Sequence, residues 1–332
     1  MTSVTNPEQQ KKFLEKIKYL LPSSISFVDT LEELLQISPD SIYRRIRGET
    51  SLTFDEVLKL CRHFKLSFDS LIESDSAAVT FYYNQVEPSV ESFKDYLRSI
   101  LEDLLQLNKA GNGNIIYIAD DIPIFHLFVY PELASFKMYY WMKSVLNIPE
   151  YQHLKYSHDN CDSEILEIGE QILEAYAHIP SKEIWTEFTI NSLRKQIGYY
   201  SEAGFFEKSS DAGVICNQTA ELIRHISNLA DKSTKLPNSK TKNFTLYYSE
   251  IEIGNNCILV NVNNIKKVYI TYNTFNKMAT GNERFCNETN SWINYLLAKS
   301  ILISGVSEKQ RLQFINKMLS QLEETHKKVA YY

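Results

Sequence analysis

The chain has 332 residues, 44% of them apolar, and a formal net charge of −6. That is long enough for more than one domain and apolar enough for globular cores. No run of about 18 apolar residues occurs, so no membrane span is expected. The N-terminus, Met1 to Glu8, lacks the apolar core of a secretory signal. Cys61, Cys161, Cys216, Cys257 and Cys286 are odd in number, widely spaced and without a CxxC pair. Reduced thiols and a cytoplasmic location are the expectation.

In chain order, Phe13, Ile17, Tyr19 and Leu20 give helical spacing from Pro7 to about Leu21. Ser26 with Asp29 three residues on is a capping-box variant. It opens a helix whose apolar side is Val28, Leu31, Leu34 and Leu35. Gln36-Ile37 form a short turn. Ser38 reads as an N-cap and Pro39 as the first helical residue. The short third helix carries Arg44, Arg45 and Arg47 with no acidic residue between them, and stops at Gly48, which tolerates the left-handed C-cap conformation. Thr53 and Glu56 make a full capping box for a fourth helix through Val57, Leu58, Leu60, Cys61 and Phe64. Leu66-Ser67-Phe68-Asp69-Ser70-Leu71-Ile72 reads as a capped fifth helix.

This order resembles the Cro/C1-type helix-turn-helix domain of phage and bacterial repressors. The matching residues are Leu35-Gln36-Ile37-Ser38, Ile42, Arg44, Arg47-Gly48-Glu49 and Leu66-Ser67-Phe68-Asp69-Ser70-Leu71, and the likeness covers residues 8–74. The family often has a polar base-reading residue where Pro39 stands, a small one at Tyr43 and an apolar one near Arg45. The resemblance implies that the helix from Ser38 to Arg47 enters the major groove of double-stranded DNA. It places Asp40, Ser41, Arg44 and Arg47 toward DNA. Arg44 is the base reader, because a guanidinium bonds guanine O6 and N7 together. Ser38, through its cap, and helix N-termini would bind phosphate. Tyr43 and Arg45 would contact the DNA backbone or support the helix. The net charge of −6 does not exclude this, because DNA meets one face of a protein.

Ser74 to Ala78 is a polar link, and a second domain is expected over residues 79–332. Val79 to Tyr83 reads as a strand, Pro88 to Leu107 as an amphipathic helix, and Ile115 to Ala119 as a buried strand. Pro131 to Leu146, Ser163 to Ala177, Lys182 to about Ser201 and Ala212 to Ala230 read as helices. Phe244 to Tyr248, Glu250 to Ile253, Ile258 to Val262 and Lys267 to Thr271 alternate as strands, with Gly254-Asn255-Asn256 and Asn263-Asn264 as tight connections. Helices from about Asn287 to Ser300 and Ser307 to Lys327 close the chain. The fold class is therefore α+β overall: an all-α five-helix domain, then a larger α+β domain with an antiparallel sheet.

The second domain shows no catalytic signature. Asp120-Asp121 after an apolar strand resembles the start of a receiver domain, whose magnesium site also needs a second strand ending in Asp and a downstream Lys at a strand end; the helical stretch that follows supplies no such strand. His153, His158, Cys161 and His178 fit no compact zinc spacing, so neither a metal nor a cofactor is expected. The aromatic zone from Phe125 to Met142 is core, a ligand pocket or a dimer seam.

The sequence thus points to a non-enzymatic, DNA-binding transcriptional regulator whose C-terminal domain senses a small-molecule ligand or mediates homodimerisation. The alternative is a protein-interaction module localised to DNA by its helix-turn-helix. An enzyme fused to a DNA reader is the third possibility.

Overall fold

The computed structural model describes residues 6–21, 25–64, 66, 78–263 and 265–330. The chain divides into two compact units, Met1–Thr80 and Phe81–Tyr332.

In the first unit, α1 (Asn6–Leu20), α2 (Phe27–Leu35), α3 (Pro39–Ile46) and α4 (Phe54–His63) share one small core. Phe13, Leu14 and Ile17 of α1 meet Leu31 and Leu35 of α2, Ile42 of α3, and Leu60 and Cys61 of α4. The local chemistry sets each boundary. Ser26 Oγ accepts from Asp29 N at 3.3 Å to open α2. Gln36 ends that helix in the left-handed conformation at φ 56°. Thr53 and Glu56 form the complete capping box of α4. Of the fifth helix expected at Leu66 to Ile72 all but Leu66, and of the polar link at Ser74 to Ala78 all but Ala78, lie outside the described residues.

The second unit is mixed helix and sheet. Its elements are β1 (Tyr82–Tyr83), α5 (Val90–Ala110), β2 (Asn114–Ala119), α6 (Ile124–Leu127) and α7 (Pro131–Tyr140), the last running into a π-helical turn, Trp141–Val145. Then follow α8 (Pro149–Gln152), α9 (Ser163–His178), β3 (Ser181–Trp185), α10 (Asn191–Glu202) and α11 (Ser210–Lys232). The chain closes with β4 (Phe244–Tyr248), β5 (Cys257–Val262), β6 (Ile265–Tyr272), β7 (Asn276–Thr280), α12 (Glu283–Lys299), β8 (Ile301–Leu302) and α13 (Glu308–Val329).

Eight strands form one sheet in the order β1-β7-β6-β5-β2-β3-β4-β8. It is mixed, which corrects the antiparallel expectation. Of the expected meander, β5 and β6 pair antiparallel, and β7, which was not expected, extends them; β2, β3 and β4 run parallel, with Ile115 opposite Ser181 and Ser181 opposite Phe244. Alternation along the strands splits the core. Ile115, Tyr117, Trp185, Phe244 and Leu246 face a large helical layer. Ile118, Ile184, Cys257, Leu259 and Val268 face Cys286, Ile293 and Leu296 of α12.

The parallel register has one cause. Lys182 to Ser201, expected as a single helix, is β3 followed by α10. Ser-Lys-Glu-Ile-Trp lacks an apolar alternation because Glu183 points into the core. Its carboxylate accepts from His126 Nε2 at 2.8 Å, Tyr176 OH at 2.5 Å and Trp185 Nε1 at 2.7 Å. A buried carboxylate is tolerated when donors surround it. Glu250 to Ile253 is not a strand; Ser249 Oγ accepts from Ile251 N at 3.1 Å and turns the chain there. The aromatic zone is interior: Phe125, Phe136, Met138, Tyr139, Trp141 and Met142 are all buried. Of the three readings of this zone, these side chains follow that of core. No helix among the described residues is long and apolar enough to cross a membrane.

Candidate nucleic-acid interface

On α3 and its caps the first unit exposes Ser38, Asp40, Tyr43, Arg44 and Arg47. The helix is short, eight residues, and both of its ends are set by backbone geometry. Ser38 occupies the N-cap position, but its side chain does not cap. Its hydroxyl instead pairs with Ser41 Oγ at 3.0 Å. This corrects the expected cap and leaves the first-turn amides of α3 without a side-chain acceptor among the described residues, the arrangement that favours an anion at a helix start.

The far end is a Schellman motif. Gly48 N donates to Arg45 O at 3.0 Å and Glu49 N to Arg44 O at 2.9 Å. Gly48 sits at φ +76°, and a Cβ there would lie 3.2 Å from both Lys11 Cε and Pro7 Cβ. The left-handed conformation favours glycine, and the close approach adds a smaller steric cost to any side chain.

The three arginines separate into two roles. Arg44 and Arg47 present side chains that are 59% and 53% exposed. Arg45 turns inward, 14% exposed, and makes a two-pronged bond to Glu56 of α4, itself 12% exposed. Nε reaches Oε2 at 3.1 Å and Nη2 reaches Oε1 at 2.8 Å, while Nη1 donates to Ser41 O at 3.2 Å. Of the two roles offered for Arg45, contact or support, the geometry is that of support. Tyr43 and Asp40 are exposed and Ser41 is half-buried. Asp40, in the first turn of α3, complements the helix dipole.

Three residues of this surface have roles that the sequence did not reveal. Gln10 of α1 ties down the α3–α4 connection. Its Nε2 donates to Arg45 O at 2.7 Å and Thr50 O at 2.8 Å, and its Oε1 accepts from Leu52 N at 2.7 Å. Glu49 gathers the exposed arginines: Arg47 Nε and Nη2 lie 2.6 and 3.0 Å from its carboxylate oxygens, and Arg44 Nε lies at 3.9 Å. Glu56 shows in the sequence as a helix cap, and its second task, holding Arg45, depends on tertiary packing. The Glu49 carboxyl is held below its usual range, first by the hydrogen bond from Arg47.

The other candidate clusters do not assemble. Among the described residues, no group of three or more His, Cys, Asp and Glu side chains comes together to hold a metal. His158 Nδ1 lies 3.0 Å from Ser135 Oγ. β3 supplies the second parallel strand beside Asp120-Asp121, but it ends Trp185-Thr186-Glu187 without an Asp. Asp121 is tied to Lys137 Nζ at 2.8 Å.

Comparison of the chain with protein-family models, with curated proteins and with solved structures gives no match.

Proposed function

We propose that this chain is a sequence-specific, DNA-binding transcriptional regulator, with a Cro/C1-like reader in its first unit. The observation that carries the reading is the division of labour on α3. One arginine is used to lock the helix to α4, while two others, one turn apart, are left exposed on the outside. A short cationic helix braced from behind by a second helix suits the major groove. Arg44 is the base reader, and Arg47, Tyr43, Ser41, Asp40 and Ser38 border it. The second unit acts on this reader as a ligand-sensing or dimerising module, and the reading assigns it no catalytic step. Two copies would span half-sites about 34 Å apart, so that the second contact becomes intramolecular.

A test is fluorescence anisotropy of labelled duplexes with the full chain at several salt concentrations. Affinity should fall steeply with salt, as phosphate contacts require, and Arg44→Ala should cost about 1–3 kcal/mol on a preferred sequence. Salt-independent binding, or none, argues for the alternative, a protein-interaction module.

A further inference from the structure

In the second unit, a cleft of about 360 Å³ opens at the carboxyl ends of the parallel strands. Asp120 and Asp121 follow β2 there, Ser192 comes from α10, and Asn256 and Thr271 come from the opposite wall. The carboxyl ends of parallel strands are where open α/β sheets receive ligands, and the volume lies in the range of small-molecule sites.

Two features of the cleft point to the chemistry of an occupant. Asn256 is only 9% exposed. Its Oδ1 accepts from Asp120 N at 2.8 Å and Asp121 N at 3.1 Å, which fixes the amide. Its Nδ2 has no hydrogen-bond partner among the described residues, although Asn256 lines the cleft. An amide held by its oxygen, with its N–H donors still accessible from the cleft, is a preset donor site. The charges are arranged unequally. Asp121 is balanced from behind by the buried Lys137 ammonium, which also donates to Gln196 Oε1 at 3.0 Å. Among the described residues, Asp120 has no such cation. Burial at the wall and the carboxylates of Asp121 and Glu252 raise its carboxyl above the usual range. A bound cation would relieve that repulsion, and an anion would add to it.

We infer that this cleft binds a small hydroxylated amine, with its ammonium against Asp120 and a neighbouring hydroxyl oxygen accepting from the Asn256 amide. The inference rests on reading the second unit as a sensing module, and it does not require DNA binding.

The test uses the full chain without DNA. Glucosamine and ethanolamine are titrated by calorimetry and by ligand-observed NMR, with glucose and N-acetylglucosamine as uncharged controls. Both amines should bind, and the controls at least about tenfold more weakly, a difference of ~1.4 kcal/mol. Asp120→Asn should weaken amine binding by a similar factor. Ethylamine, which lacks the hydroxyl, should bind more weakly than ethanolamine. Circular dichroism establishes that Asp120→Asn is folded. Absence of binding by both amines overturns the inference. So does equal binding of the controls, or amine binding unchanged in folded Asp120→Asn. Because DNA is absent, failure of the DNA reading leaves these outcomes as they are.

Discussion

The Arg45 guanidinium holds both carboxylate oxygens of Glu56, across the gap between α3 and α4. Glu56 Oε2 also accepts from Thr53 N at 2.8 Å, so one carboxylate caps α4 and anchors α3. The reader helix is therefore positioned by the start of the helix behind it. Charge-assisted, two-pronged bonds are the stronger kind. Arg45→Met should destabilise the first unit by about 1–3 kcal/mol. Amide hydrogen exchange across α3 and α4 measures this, and an unchanged protection pattern would show that the pair adds no net stability.

The same pair sets an acid limit. Burial pushes the Glu56 carboxyl up, but the bonds from Arg45 and Thr53 outweigh it and hold the group below its ordinary 4.5. A carboxyl depressed in the folded state contributes stability above the unfolded value, lost as pH falls through the folded one. Protection of α3 and α4 should therefore decline below about pH 4.5, and Glu56→Gln should flatten that decline. A decline of equal steepness in the variant would assign it to other carboxylates.

Glu49 stands between the exposed arginines and any phosphate. Glu49→Gln should release Arg44 and Arg47, raising affinity for unrelated duplexes and steepening the salt dependence. The fold should be unaffected, since exposed ion pairs contribute little to stability. The readout is anisotropy with a scrambled duplex; unchanged affinity would mean that Glu49 does not compete with DNA.

Lys235, in the second unit, donates to Ile179 O at 2.6 Å and Ser181 Oγ at 2.7 Å beneath the sheet. Burial lowers its ammonium from 10.5 to about 7, with Glu183 opposing the shift. Between those values the unfolded chain binds the additional proton, so stability rises with pH from about 7 towards 10.5. Urea midpoints at pH 7 and pH 9 should increase in the parent and change less in Lys235→Met. Equal increases in both would place the titration elsewhere.

Legibility in the sequence followed the range of the interactions. Thr53 and Glu56, three residues apart, announce the start of α4, and Gly48 announces the end of α3, because caps and left-handed turns are local chemistry. The continuous apolar run of Ile115 to Ala119 announces β2. β3 stays hidden, because Glu183 is buried only by virtue of His126 and Tyr176, which arrive from α6 and α9. With β3 read as helix, the parallel half of the sheet and the cleft at its end were also out of reach. In the first unit, the arginines of α3 are conspicuous in the sequence, but their division between Glu56 and solvent is not. It depends on where α4 packs.

Selection of bound duplexes from a random pool by the full chain, run in parallel with an Arg44→Ala/Arg47→Ala double variant, tests the DNA reading most directly. The parent should enrich one motif, repeated about 10 base pairs apart if two copies bind together, and the folded double variant should enrich none. A pool that stays random with the parent, or the same motif recovered with the double variant, would contradict the assignment of α3 as a DNA-reading helix.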